Sequence, residues 1–196
     1  MSRTSYASAL THLLEPQGFV RHGSEWLRNR DDHLDSVHLQ VSSYSGVTSN
    51  ISTKDLASER ILLEAIPPGS PQSMYAVTYR IGYLMDRTDH WWRRDPNGPR
   101  ELTEAVRIHA LPFFDRMHSL EGQVQEFGRD SYNHKWRGST HIFYVAIALY
   151  RLGARSEACQ MMAEKIPRLM PAEWAAEIEG LRKRLGCDGA QPSPTV

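Results

Sequence analysis

Cysteine is nearly absent. Cys159 and Cys187 are the only two in 196 residues, and without a CxxC spacing they offer neither a zinc framework nor a disulfide scaffold. No apolar run approaches the roughly 20 residues that span a bilayer. No basic start followed by an apolar stretch marks a secretory signal. These absences set the expectation of a cytoplasmic chain with reduced, unpaired thiols. A concentrated charge of either sign is missing too: Lys+Arg and Asp+Glu are equal at 23 each. Counterion displacement from nucleic acid needs a block of positive charge, so neither a nucleic acid nor a membrane is the expected partner. Lysine is scarce, four residues against nineteen arginines. Arginine brings a planar fork that suits carboxylates and aromatic faces.

The familiar catalytic spacings are missing as well. There is no HExxH, and no two of the nine histidines sit four apart on a helix. There is no GxSxG elbow, no GxxxxGK[ST] loop and no GxGxxG after a strand. Cys159 reads as a small core residue on a helix. Asp31, Asp32 and Asp35 read as turn chemistry. The expectation is therefore no catalytic residue, no metal and no cofactor.

What is present is ordinary globular material, 40% hydrophobic and 23% charged. Tyr6, Leu10, Leu13 and Leu14 recur at helical spacing before Pro16 and Gly18. "GFVRHGSEWLRNRDDHLDSVHLQVSSYS" reads as three strands separated by Gly23 and by the polar run Asn29 to Asp32. "VTSNIST" is a weaker strand, and "DLASERILLEAI" has helical spacing up to Pro67-Pro68. In "SMYAVTYRIGYLM", Tyr75, Val77, Tyr79, Ile81 and Tyr83 alternate, which predicts one long central strand. Leu102, Ala105, Val106 and His109 form the stripe of a helix that Pro112 should end or kink. The last third reads as helices, two of them joined at Gly153-Ala154 and a third opening near Pro171.

The fold class expected is α+β, an antiparallel sheet of four to five strands packed with helices, followed by a C-terminal antiparallel helical unit. The domain reading is 1–128 for the α+β domain, 139–186 for the helical subdomain and 187–196 for a flexible tail.

The residues most suggestive of recognition are His90, Trp91, Trp92, Arg93 and Arg94, with Arg80 and Tyr79 on the preceding strand. Adjacent residues of an extended chain point to opposite sides. One tryptophan should anchor the loop and the other should stay at the surface. Tryptophan and arginine dominate binding hot spots.

The ordered set "GFVRHGSEWLR", "VHLQVSSYS", Asn50, "YRIGYL", "HWW" and "LPFFD" resembles the bacterial family of domain of unknown function 4304. The resemblance runs over about residues 8 to 125 and on into the helical tail. One departure is Ile51-Ser52-Thr53 after Asn50, where the family more usually has a glycine, so that strand should end differently. The family has no established activity. The resemblance implies an α+β fold and a likeness to accessory and immunity-type proteins near toxin genes. The functional expectation is a non-enzymatic cytosolic protein that binds and blocks a partner protein, most concretely a toxin. The alternative is an enzyme or small-molecule binder with a pocket of Tyr75, Tyr79, Tyr83, Trp91 and Arg80.

Overall fold

The computed structural model describes residues 3–68, 77–93, 96–130, 141–170 and 172–187. The fold is α+β. Its strands are β1 (Val20–His22), β2 (Glu25–Arg30), β3 (His33–Ser42), β4 (Gly46–Asp55) and β5 (Val77–Arg80). They form one sheet in the order β1-β2-β3-β4-β5. The chain divides into two compact units, 1–54 with 77–116, and 55–76 with 117–196. Helices α2 (Leu56–Ala65) and α6 (Leu120–Asp130) fall in the second unit, whereas the sequence reading sets α2 and most of α6 within 1–128.

In the first unit, α1 (Arg3–Leu14) buries Tyr6, Leu10 and Leu14. It packs against α4 (Gly98–Ala105). Trp26 of β2 is fully buried and donates its indole N–H to Thr11 Oγ1 of α1 at 3.1 Å. Strand pairing sets Trp26 opposite Val37 and Arg28 opposite Asp35. Asp35 is therefore not turn chemistry. It is fully buried and takes two hydrogen bonds from Arg28, at 2.8 and 3.1 Å, and one from Thr53 Oγ1 at 2.8 Å. The Arg28 guanidinium lies over the rings of Phe19 and Phe114, at 4.5 and 5.6 Å. β4 runs on through Ile51, Ser52 and Thr53 without a break, and Asn50 donates across to Gln40 at 3.1 Å.

The 74–84 segment departs from its reading. β5 holds only Val77–Arg80 and lies at the edge of the sheet. Ile81 already begins α3 (Ile81–Asp86), while Met74, Tyr75 and Ala76 lie outside the described residues. Tyr79 and Tyr83 are four apart, so the change to helix stacks their rings at 5.0 Å. An alternation of apolar residues cannot distinguish a continuing strand from a helix that starts midway.

The helix does not end at Pro112. α4 passes through a π-helical turn, Val106–Ala110, into α5 (Leu111–Met117). The Leu111 N–H reaches back to Val106 O. A proline lacks an N–H, and its ring collides with the carbonyl four residues earlier. The wider turn accommodates both. It inserts one residue into the buried stripe, which passes from Leu102, Ala105 and Val106 to Ala110, Phe113 and Phe114. His109, which the sequence places on that stripe, becomes half-buried.

The second unit is helical. α7 (His141–Arg151) is buried from Ile142 to Ala148 and packs against α2, α6 and α8 (Arg155–Gln160). Gly153, at φ +81°, makes the turn between α7 and α8. A second π turn, Met161–Lys165, leads into α9 (Ile166–Leu169), again one residue before a proline, Pro167. α10 (Ala175–Arg184) packs on α2, and a Cβ on Gly180 would lie 2.0 Å from Ala65 O. Asp55 caps α2 by accepting from the Ala57 and Ser58 N–H groups at 3.0 and 3.1 Å. It also accepts from Gln123 at 3.2 Å and pairs with Arg151. Burial, with Glu59 and Asp55 nearby, raises the Tyr144 hydroxyl well above the ordinary tyrosine value.

The cysteines depart from the sequence reading. Cys159 of α8 and Cys187 are joined in a disulfide, with Cα atoms 5.3 Å apart. Twenty-eight residues separate them in sequence, and the return of the chain along α9 and α10 brings them together. Residues 131–140, Pro171 and 188–196, which carry the expected connection, helix start and tail, lie outside the described residues.

Candidate functional site

The first unit contains an open groove of about 630 Å³. One wall is the segment after α3, with Met85, His90 and Trp92. The other is the α4–π helix, with Arg100, Glu101, Glu104, Ala105, Ile108 and His109.

The first wall is built by close backbone approach. Trp92 exchanges both backbone hydrogen bonds with Val47 near the start of β4, at 2.8 and 2.9 Å. That pairing brings its carbonyl against Gly46, where a Cβ would lie 2.2 Å from Trp92 O. Gly46 also holds φ +108°, a region L side chains rarely adopt. At the other end, a Cβ on Gly82 would lie 2.5 Å from His90 Cβ and 2.6 Å from His90 N. Thr48 Oγ1 donates to His90 O at 2.9 Å, and Tyr6 Oη donates to Arg93 O at 2.6 Å. Three elements thus hold residues 90–93: α1 through Tyr6, β4 through Val47 and Thr48, and α3 through Gly82.

The side chains then divide. Trp92 is 4% exposed and packs against the His90 ring, centroids 4.3 Å apart. Both rings face the groove. Trp91 is half-buried under Arg80, whose guanidinium lies 4.8 Å from its ring. Arg80 also pairs with Asp89 at 2.5 Å. Tyr79 is a core residue, 5% exposed, between Tyr83 and an edge-on Phe113 at 5.6 Å. Arg93 is exposed. Arg94 lies outside the described residues. Of the residues singled out in the sequence, the groove gathers His90 and Trp92, while Arg80 and Trp91 form a separate stack.

The helix wall was not legible. The π turn sets Ile108 and His109 at the groove, with Ile108 47% exposed. The signal was Pro112, six residues after Val106, but a proline in a helix reads first as a break. Glu104 is held by Arg107 through bonds of 2.9 and 2.5 Å. Those bonds lower its carboxyl below the ordinary value and raise the Arg107 guanidinium. Among the described residues, no group of three or more His, Cys, Asp or Glu is arranged to hold a metal ion. No described helix is long and apolar enough to cross a membrane.

The segments that stand out in the sequence touch one another in space. Phe19 of "GF" and Phe114 of "LPFFD" have ring centroids 5.7 Å apart, with Arg28 of "EWLR" over both. Gln40 meets Asn50. Arg80 and Gly82 of "RIG" meet Trp91 and His90 of "HWW". No curated protein and no solved structure matches the chain. Residues 10–116, just over half of the chain, match the model of a family described as a domain of unknown function, DUF4304. The chain belongs to the DUF4304 family.

Proposed function

We propose that the protein is a binding module that takes an apolar side chain of a partner protein into the groove between His90–Trp92 and the α4–π helix. One observation carries this reading: the groove wall is preformed, held by Gly46, Gly82 and the Trp92–Val47 pairing. A preformed wall loses little entropy on binding. The lining combines apolar Trp92, Met85, Ala105 and a half-exposed Ile108 with charged Arg100 and Glu101. An apolar centre with a polar rim is the usual anatomy of an interface hot spot. The partner class extends the family likeness to immunity-type proteins, with a toxin as the concrete candidate and the cytoplasm as the compartment.

The test is affinity capture from the native lysate with immobilised protein, run beside two variants. Ile108→Glu puts a charge in the groove. Tyr44→Ala changes a residue 99% exposed at the β3–β4 turn. A partner retained by wild type and Tyr44→Ala but lost with Ile108→Glu supports the reading. A partner retained by all three places the binding surface elsewhere.

A second reading, a small-molecule binder or enzyme, draws on His90, His109, Glu101 and Glu104 lining the same groove. A metabolite that raises the melting temperature of the wild type but not of His109→Ala would favour it.

A further inference from the structure

We infer that the Cys159–Cys187 bond is a thiol–disulfide exchange site, a removable clasp that holds the end of the second unit onto α8, and that its partner is a dithiol reductant. The inference is independent of the groove.

The clasp has two rungs on one helix face. Arg155 and Cys159 are four residues apart on α8, so their side chains rise from the same side. Arg155 donates to Gly186 O at 2.5 Å, and Cys159 is bonded to Cys187, the next residue. Gly186 turns the chain there at φ +66°, and a Cβ on it would lie 2.2 Å from the Arg155 guanidinium. Both rungs therefore depend on one tight turn just past the end of α10.

The position suits exchange. The sulfurs belong to residues 7% and 2% exposed, so a reductant reaches them only when the turn opens. Helix ends are where opening costs least. A structural disulfide closing a large loop would be a permanent feature of an exported protein. In the cytoplasm proposed above, on which this inference rests, such bonds are transient or redox-sensing. The chain spends its only two cysteines on this one contact.

The chemistry balances. A reductant thiolate attacks one sulfur of the pair, the protein S–S bond breaks, and a mixed disulfide forms. The second reductant thiol then attacks that mixed disulfide. Two electrons and two protons pass to the protein, giving two cysteine thiols and one oxidised reductant disulfide. With the bond gone, α10 keeps the Arg184–Glu64 ion pair, at 2.7 Å, and its seat on Ala65. Its end is then tied to α8 only through the Arg155–Gly186 hydrogen bond.

The experiment uses the full chain, oxidised, then treated with dithiothreitol, with amide hydrogen exchange read by peptide. The unfolded, unreduced protein should titrate no thiols, and the reduced one two. On reduction, exchange should rise about tenfold or more across 175–187 and stay unchanged in β2–β4. Arg155→Ala should keep the disulfide and be reduced at least several-fold faster than wild type, because one rung is missing. Two thiols in the untreated chain would overturn the inference. So would reduction that unfolds both units together, or reduction that leaves 175–187 protected as before. An Arg155→Ala rate equal to wild type would remove the second rung and with it the clasp.

Discussion

Asp35 and Asp55 are both buried carboxylates paired with an arginine, and the two units use them differently. Asp35 sits at mid-strand with no helix end to help it. Its charge is balanced by Arg28, itself 8% exposed and roofed by Phe19 and Phe114. Asp55 sits at a helix start. It accepts two backbone N–H bonds, which the helix dipole reinforces, and one from Gln123. Its arginine, Arg151, has a side chain 26% exposed. A carboxylate in a sheet depends on its counter-ion; a carboxylate at a helix start depends mainly on the backbone.

The largest expected effect follows from that difference. Asp35→Ala leaves a buried guanidinium without its partner and should cost about 3–5 kcal/mol in chemical denaturation. The paired replacement Arg28→Met with Asp35→Leu should recover most of it, because no charge is left stranded. A double variant as unstable as the single one would mean that the pair contributes shape rather than charge balance. Asp55→Ala comes next, at roughly 2 kcal/mol, from a lost cap plus a lost buried acceptor. Arg151→Ala should be smaller again, about 1 kcal/mol, since solvent reaches the arginine. If Arg151→Ala costs as much as Asp35→Ala, the contrast between the sites fails. The smallest effect is expected at Trp91→Ala, about 1 kcal/mol, because its half-exposed ring loses the stack with Arg80 and only part of its apolar burial.

Much of this was readable in the sequence where local pattern and tertiary burial agree. Tyr6, Leu10 and Leu14 fix the inner face of α1, and Val37 and Leu39 fix that of β3. Reading failed where one pattern satisfies two structures. Val77 to Tyr83 alternates as a strand does, yet Tyr79 and Tyr83 also stand one helical turn apart. It failed again where a single residue shifts the phase. The π turn before Pro112 moves the buried position from His109 to Ala110, and with it the helix wall of the groove. The disulfide was hidden for another reason: no spacing in a chain reports that residues 159 and 187 meet. The groove residues on this wall were half legible. Tryptophans 91 and 92 announce themselves, but which one faces the groove is decided by the Val47 pairing, a contact 45 residues distant in sequence.

The central claim is that residues 90–93 form a wall already in place before any partner arrives. Amide hydrogen exchange of the partner-free protein tests it most directly. The Trp92 N–H, bonded to Val47 O at 2.8 Å in a residue only 4% exposed, should exchange as slowly as the amides of β4. In Gly82→Ala, where the added Cβ meets His90, that protection should fall at least tenfold while Trp26 stays protected. A Trp92 amide that exchanges at the rate of an open loop in the wild-type protein would contradict the claim.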